Sequence, residues 1–349
     1  MAFKLQTRQP TGRVPWPLVL VEGPEKSGKS YGIAVLSASE KVGQTYWIDL
    51  AEGSADEYGA IDGARYVVVE HDGTWATIFG SVEAIYAEAQ RASDAGEPPV
   101  VLAIDSMTAE WNMLKDWASN RARGSNSNKR KLAADPQAEI TVPANYWNDA
   151  NSRHAKLMRL LMTFPGIAVI TARGKWVAAI GENGQPVEGK KEYKVEGQKN
   201  LAFDASCWVR LDREEPAKVI GLRSVHAGVR PGRDEPKELP DDWTLEWLVF
   251  EALRCDPHGT HARQLTELQP GDEAPESPRF AEIATAIADA KTLDDLKAAW
   301  DLIQPALNGE EIRADEADVA SAAVKARKVE IEALGAADSD QGEPVGASA

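Results

Sequence analysis

The sequence is poor in the residues that stabilise secreted proteins and in the apolar runs that cross membranes. It contains only two cysteines, Cys207 and Cys255, among 349 residues, too few for a disulfide scaffold and without metal-ligand spacing. No apolar run approaches the ~20 residues that a membrane-spanning helix requires. The run near the N-terminus is short and is interrupted by Pro15 and Pro17, which predicts a first strand rather than a signal peptide. We therefore expect a soluble, cytoplasmic protein without a membrane partner.

Positive charge is also scarce. The chain has 39 lysines and arginines against 55 aspartates and glutamates, a net charge of −16, which argues against a nucleic-acid partner because phosphate groups bind cations. The charge is unevenly distributed, however. Residues 267–349 contain 19 acidic and 7 basic residues, which leaves a net charge of only −4 for the first 266. The acidity lies mainly in the C-terminal region, and the remainder of the chain stays compatible with nucleic acid.

Short apolar runs alternate with helical patterns over the first 266 residues. The predicted strands are 17–22, 45–50, 66–70, 99–105, 167–171, 207–211 and 219–225. The predicted helices are 31–41, 82–92 and 148–163. Strands that are apolar throughout and alternate with helices predict an α/β fold, with a mainly parallel sheet covered by helices on both faces.

The composition changes near residue 267. We expect an α/β core over 1–266, a linker rich in Pro, Gly and Glu over 267–279, a helical module over 280–335 and an acidic disordered tail over 336–349. Two uses of this acidic C-terminal region remain open. It could compete with nucleic acid for basic loops through Coulomb repulsion, or it could dock another recombination or replication protein.

A glycine-containing loop follows the first predicted strand and precedes a predicted helix. Residues 23–30 fit the phosphate-loop pattern G-x-x-x-x-G-K-S, in which backbone N–H groups and a helix N-terminus hold phosphate oxygens. Lys29 is expected to reach the β- and γ-phosphates and Ser30 to bind Mg²⁺, so the sequence predicts an ATP and Mg²⁺ site rather than a chance glycine turn. The predicted nucleotide-binding residues are Gly23, Pro24, Glu25, Lys26, Ser27, Gly28, Lys29, Ser30 and Tyr31.

Carboxylates follow two of the other predicted strands. Asp105 ends the most apolar strand and is a candidate to hold Mg²⁺ through its water shell. Glu52 follows a second strand and is our first candidate to activate the attacking water, with Asp49 as the second. The alternatives are an ordinary aspartate at a strand end and a solvated carboxylate in a loop, since only site geometry can establish such a role.

Four motifs in order resemble the core of the RecA-like recombinases. They are the phosphate loop at 23–30, Ile-Asp-x-x-Glu at 48–52, Val-Val-Leu-Ala-Ile-Asp-Ser at 100–106 and Ala-Ser-Cys-Trp-Val-Arg-Leu-Asp at 205–212. The resemblance covers about residues 15–230. Within this family the chain is most similar to short, phage-encoded RecA-like ATPases of single-strand annealing, which implies a location in the host cytoplasm.

The resemblance implies roles for particular residues. Lys29 and Ser30 would contact phosphate and Mg²⁺, Asp105 would lie on the metal side, and Glu52 would be the catalytic carboxylate. The recombinases place a glutamine after the fourth strand to sense the γ-phosphate, whereas this chain has Ile-Thr-Ala-Arg-Gly at 170–174. Thr171 or Arg173 would have to substitute for it.

Two segments are candidates for contacts with single-stranded nucleic acid, with DNA favoured over RNA. The first is a polar loop expected at 119–145, without an acid between Ala118 and Ala134, and the second is 174–199, which could equally be a β-hairpin. Both could instead be ordinary solvent-facing charge. The candidate contacts are Arg121, Arg123, Lys129, Arg130, Lys131, Lys175, Lys190, Lys191 and Lys194.

Arg223 is the favoured candidate for an arginine that reaches a neighbour's γ-phosphate, which would make the protein a homo-oligomer, either a ring or a filament. The leading hypothesis is an ATP-dependent, single-stranded-DNA-binding ATPase of recombination, annealing or replication. Two alternatives remain: a phosphate-loop kinase of a small molecule, and a non-catalytic loader that ATP switches between oligomeric states.

Overall fold

The computed structural model describes residues 7–181, 185–229, 231–232, 235–266, 277–309 and 311–339, with side chains described up to residue 332. The chain forms two compact units, Met1–Leu265 and Thr266–Ala349. Within the described ranges, no helix combines the length and the apolar character needed to cross a membrane.

The first unit is built around one sheet. Its described strands are β1 (Leu18–Gly23), β2 (Thr45–Asp49), β3 (Tyr66–Val68), β4 (Val101–Asp105), β5 (Ile167–Ile180), β6 (Pro186–Glu196), β7 (Cys207–Arg210), β8 (Lys218–Leu222) and β9 (Lys237–Glu238). Their order across the sheet is β3–β2–β4–β5–β1–β7–β8–β9, and β6 pairs with β5.

The six strands from β3 to β7 in this order are parallel, and β6, β8 and β9 are antiparallel additions. The predicted α/β fold with a mainly parallel sheet is therefore confirmed. Because β5 lies between β1 and β4, the carboxyl ends of these three strands are neighbours at one edge of the sheet. That edge receives the residues that follow β1 and β4 in the chain.

Helices cover both faces of the sheet. They are α1 (Lys29–Ser37), α2 (Ala55–Tyr58), α3 (Trp75–Asp94), α4 (Met107–Arg123), α5 (Asn126–Ala134), α6 (Ala144–Met162), α7 (Leu201–Asp204) and α8 (Leu245–Trp247), with a π-helical turn at Leu248–Ala252. Alternate residues of β1 point to opposite faces: Val19 joins the core that contains Ile33 of α1, whereas Leu20 joins the core that contains Leu157 of α6. This explains why the buried strands are apolar throughout.

The polar segment 119–145, which we expected to be a loop, is partly helical. Helix α4 continues to Arg123, and α5 follows after Gly124 and Ser125. The Ser125 hydroxyl accepts a hydrogen bond from the N–H of Asn128 and so caps α5. The expectation of a loop was wrong at these positions because the serine acts as a helix start, and the glycine only ends the preceding helix.

The segment 174–199 adopts the β-hairpin that its sequence allowed. Strand β5 continues well beyond the predicted end at residue 171 and pairs with β6 in antiparallel register from Arg173 and Glu196 outward. Of the predicted turn at 181–184, residues 182–184 lie outside the described residues.

The second unit contains the C-terminal helices expected from the sequence. They are α9 (Pro278–Asp289), α10 (Leu293–Trp300), α11 (Ile303–Asn308) and α12 (Ala314–Ser339). Phe280, Ile283, Leu296 and Ile303 pack together in their own core. Residues 267–276 of the expected linker and 340–349 of the expected tail lie outside the described residues, and α12 includes residues 336–339, which we had assigned to the tail.

Candidate nucleotide-binding site

The phosphate loop connects the end of β1 to the start of α1. Lys26 and Gly28 have left-handed backbone conformations, with φ of 59° and 95°, and Gly28 is the residue that precedes the helix. A Cβ atom on Gly23 would lie 2.6 Å from the carbonyl oxygen of Leu211 and 2.7 Å from the hydroxyl of Ser27, so only glycine fits there. The loop thus turns tightly over the N-terminus of a nine-residue helix, the geometry that favours anion binding.

Lys29 is held within the loop. Its Nζ donates hydrogen bonds to the carbonyl oxygens of Gly23 at 3.1 Å and Pro24 at 2.7 Å. Burial lowers the pKa of Lys29 from its ordinary value, although the charges of Asp105 and Glu52 act in the opposite direction. A phosphate group placed against the loop would offer this amine a charged acceptor in place of two neutral carbonyls.

Asp105, at the end of β4, is the buried acid of the site. The Ser30 hydroxyl donates a hydrogen bond of 2.6 Å to its Oδ2 atom, and the Thr171 hydroxyl donates to its Oδ1 atom. Burial raises the pKa of Asp105, while the two hydroxyls oppose this shift. A hydroxyl and a carboxylate in contact supply the oxygen ligands that Mg²⁺ prefers, alongside water and substrate phosphate. These residues therefore fit a Mg²⁺ ion.

Glu52 is fixed by donors on three sides. Its Oε1 atom accepts hydrogen bonds from the Ser106 hydroxyl at 2.8 Å and from the Arg173 guanidinium at 2.9 and 3.2 Å. Asp49 shapes the loop below it, because its carboxylate accepts the N–H groups of Glu52 and Gly53 at 2.8 to 3.1 Å. The geometry favours Glu52 over Asp49 for contact with substrate, since Asp49 is occupied by backbone.

A cavity of about 550 Å³ joins these groups. Lys29 and Ser30 line it from the phosphate loop, Glu52 from the segment after β2, and Arg173 from β5. The remaining predicted loop residues from Glu25 to Gly28 also line this cavity. Residues from three separate parts of the sequence thus meet at one edge of the sheet.

A second cavity of about 250 Å³ lies beside the loop and was not anticipated from the sequence. It is lined by Tyr31, Leu211, Asp212, Trp243 and Leu245, together with Gly28 and Lys29 of the loop. A pocket that is mostly apolar, with one aromatic wall and a carboxylate, suits a nucleobase. Trp243 carries no local signal of this role in the sequence, because it reaches the loop only through the return of the chain after β9.

Directly before the loop, Glu22 is fully buried and connects three strands. Its Oε1 atom accepts hydrogen bonds from Arg210 Nε at 2.7 Å and from Trp208 Nε1 at 3.1 Å. The Arg210 guanidinium in turn lies 3.9 Å from the ring centroid of Tyr193. The arginine of the Arg-Leu-Asp motif therefore has a structural role, namely to neutralise a buried acid at the base of the loop.

Several candidate nucleic-acid contacts of the first segment are already engaged. The Arg121 guanidinium lies 5.3 Å from the ring centroid of Trp117 and 5.5 Å from that of Tyr146, and Lys131 donates to the carbonyl oxygen of Glu139 at 2.8 Å. The other candidates of this segment lie at the end of α4 and in α5: Arg123, Lys129 and Arg130.

The hairpin places its lysines beside a groove. Lys175 and Lys194 are opposite each other in the β5–β6 register, and they line a groove of about 480 Å³ with Trp111 and Lys115 of α4. Lys175 also forms an ion pair with Glu196. The other two candidates, Lys190 and Lys191, are exposed on β6.

Arg223 lies at the opposite edge of the sheet. Its N–H donates to the carbonyl oxygen of Ser206, whose own N–H donates to that of Leu18 at the start of β1, and its guanidinium donates to the carbonyl oxygen of Phe203 at 3.0 Å. The length of β1, roughly 16 Å at ~3.3 Å per residue, separates it from the loop of its own chain. Any contact between Arg223 and a γ-phosphate requires a second copy.

No family model and no characterised protein matches the sequence. Similar solved structures include an ATPase from the type III secretion system of pathogenic bacteria, at a TM-score of 0.34 and 17% identity over 57% of this chain. They also include the RadB recombinase, at a TM-score of 0.33 and 15% identity over 65% of this chain and 86% of that one. The chain spans about half of the secretion ATPase, 51% of its length. The assignment of the site rests on the geometry described above.

Proposed function

We propose that the protein is a Mg²⁺-dependent ATPase of the RecA-like type that binds single-stranded DNA during recombination, annealing or replication. One observation carries the ATPase assignment: Lys29, Ser30, Asp105 and Glu52 converge on one cavity although they come from three separate segments. In a phosphate-transfer site, positioning and electrostatic stabilisation supply most of the catalysis.

Each residue has a distinct task in this proposal. The loop N–H groups and Lys29 hold the β- and γ-phosphates, and Ser30 and Asp105 hold the metal ion, which neutralises charge developing on the phosphate oxygens. Glu52 accepts the proton of the attacking water. The fit of Glu52 for this task is supported by Ser106, which orients its carboxylate, and by Asp49, which fixes its backbone.

Nucleic-acid binding is supported by the groove beside the hairpin. Lys115, Lys175 and Lys194 supply cationic groups for phosphates, and Trp111 supplies an aromatic face, the combination typical of single-strand binding. Self-association is supported by the place of Arg223, since a head-to-tail arrangement of copies would bring it toward a neighbour's phosphate loop. The acidic C-terminal region would then serve to dock a recombination or replication partner.

The test is an ATP-hydrolysis assay with and without a single-stranded oligonucleotide, over a salt series. We expect turnover that the oligonucleotide stimulates and that Lys29→Ala abolishes, whereas Lys156→Gln, an exposed substitution on α6, leaves it unchanged. Failure to bind Mg²⁺-ATP would contradict the whole proposal. Turnover without any oligonucleotide binding at low salt would contradict its nucleic-acid part.

A non-catalytic loader is the second candidate, and one observation favours it. Glu52 is occupied by Arg173 as well as by Ser106, so its carboxylate is not free to accept a proton from water. ATP would then act by changing the oligomeric state. Light scattering with and without Mg²⁺-ATP, run beside the turnover assay, separates a change of assembly without hydrolysis from an active ATPase.

A further inference from the structure

Arg173 lies at the carboxyl end of β5, between the strand that leads to the phosphate loop and the strand that ends at Asp105. We propose that Arg173 has two binding partners in turn: the Glu52 carboxylate, as in the structure, and the γ-phosphate of bound ATP. The transfer of its guanidinium to the phosphate would release Glu52 to activate water. This inference rests on the proposed ATPase function, and it assigns the γ-phosphate contact to a residue of the same chain.

The position of Arg173 permits both contacts. Its side chain lines the same cavity as Lys29, Ser30 and Glu52, and its positive charge contributes to the lowered pKa of Lys29 in the loop. The Arg173 side chain is 52% exposed and the Glu52 side chain is 24% exposed. The guanidinium is therefore held by one ion pair and is not enclosed by packing, so a change of partner requires only rotation of the side chain.

The two partners compete for the same donors. Both Nε and a terminal nitrogen of Arg173 donate to the Oε1 atom of Glu52. A γ-phosphate has more negative charge and more acceptor oxygens than a carboxylate, and arginine binds phosphate with two parallel hydrogen bonds. When Arg173 leaves, the Ser106 hydroxyl still donates to Glu52 at 2.8 Å, so the carboxylate keeps its place and loses only its cationic neighbour.

The same residue begins the hairpin. Arg173 pairs with Glu196 of β6, and its N–H donates to the Thr108 hydroxyl at 2.9 Å, which itself donates to the carbonyl oxygen of Glu196. Thr108 lies two residues after Ser106, the residue that holds Glu52. A change at Arg173 is therefore felt at the base of the hairpin, and Lys175 is the next residue on the same side of β5.

The test is a double-mutant cycle on nucleotide affinity. Isothermal titration with Mg²⁺-ADP and with a non-hydrolysable Mg²⁺-ATP analogue is run on the wild type, Glu52→Gln, Arg173→Met and the double variant. We expect Glu52→Gln to raise affinity for the analogue about fivefold, the scale of a partly exposed ion pair, and to leave ADP affinity within about twofold. Arg173→Met should lower affinity for the analogue about tenfold, as expected for a charge-assisted hydrogen bond, again without a change for ADP.

The double variant distinguishes exchange of partners from simple charge repulsion. If Arg173 exchanges partners, Glu52→Gln improves analogue binding only while Arg173 is present, and the gain disappears in the Arg173→Met background. An equal gain in both backgrounds overturns the proposal, because Glu52 would then act by repelling phosphate. Equal effects of Arg173→Met on ADP and on the analogue overturn it as well, since they would show a structural role.

Hydrogen exchange of residues 174–196 provides a second readout. The analogue should change protection of this hairpin in the wild type and in the exposed control Lys156→Gln, and not in Arg173→Met. No change in the wild type would overturn the coupling to the hairpin. If the wild type binds neither nucleotide, the ATPase proposal itself fails, whereas normal binding of both with no discrimination by Arg173 rejects this inference alone.

Discussion

Thr171→Val tests how the buried acid of the site is stabilised. Thr171 and Asp105 are 0% and 1% exposed, and the Thr171 hydroxyl donates to one of the two carboxylate oxygens. Valine has nearly the shape of threonine, so the substitution removes the hydroxyl without opening a cavity. Its effect therefore isolates one hydrogen bond to a buried carboxyl group.

The magnitude follows from burial. A hydrogen bond to a charged group contributes about 1.5 to 3 kcal/mol, and a buried acceptor left without its donor loses the same order of free energy. Because Ser30 still donates to the other oxygen of Asp105, the acid is left with half of its side-chain donors. We expect Thr171→Val to lower the free energy of unfolding by about 2 kcal/mol.

Urea denaturation followed by tryptophan fluorescence measures this change. Ten of the eleven tryptophans lie in the first unit and only Trp300 in the second, so the signal reports mainly on the unit that holds the site. Thr171→Ser is the matched control, because it retains the hydroxyl and should lose less than half as much. A loss below about 0.5 kcal/mol for valine, or equal losses for valine and serine, would refute the reasoning.

Three further outcomes are expected. Trp243→Ala should weaken ATP and ADP binding about tenfold by removing one wall of the second cavity, whereas Trp300→Ala, a half-exposed tryptophan of the second unit, should have no effect in the same titration. Replacement of Lys175 and Lys194 by glutamine should weaken oligonucleotide binding and lower its dependence on log salt by about two phosphate contacts; an unchanged slope would place the nucleic acid elsewhere. Glu22→Gln leaves its arginine partner without a buried counter-charge, and we expect a loss of about 3 kcal/mol in urea denaturation; a loss below 1 kcal/mol would show that this ion pair is not needed.

The parts of the site that the sequence made predictable are those carried by one continuous segment. Gly23 and Gly28 fall in a fixed pattern because the loop needs a close backbone approach and a left-handed residue within eight positions. Asp105 was predictable because a carboxyl group that ends a buried strand has few other uses. The strands themselves were recognisable because burial on both faces removes polar residues from them.

The parts that could not be predicted depend on the order of strands. Nothing near Thr171 or Arg173 in the sequence indicates that β5 lies between β1 and β4, and only this order brings them against Asp105 and Glu52. Trp243 is similar, since its place beside the loop is set by the path of the chain after β9. The helix α5 was missed for a different reason: a polar helix with no buried residue has no apolar periodicity to detect.

The central place of β5 also connects the tasks that we propose for the site. Residues at alternate positions of a strand point to the same side, and on β5 these are Thr171, Arg173 and Lys175. Thr171 donates to Asp105 on the metal side, Arg173 donates to Glu52, and Lys175 forms an ion pair with Glu196 of the hairpin. One rigid strand thus carries contacts to the metal-side acid, the candidate base and the basic groove. A chain without the glutamine of the recombinases can therefore still transmit the presence of a γ-phosphate to its hairpin, provided that the contact is made from this face of β5.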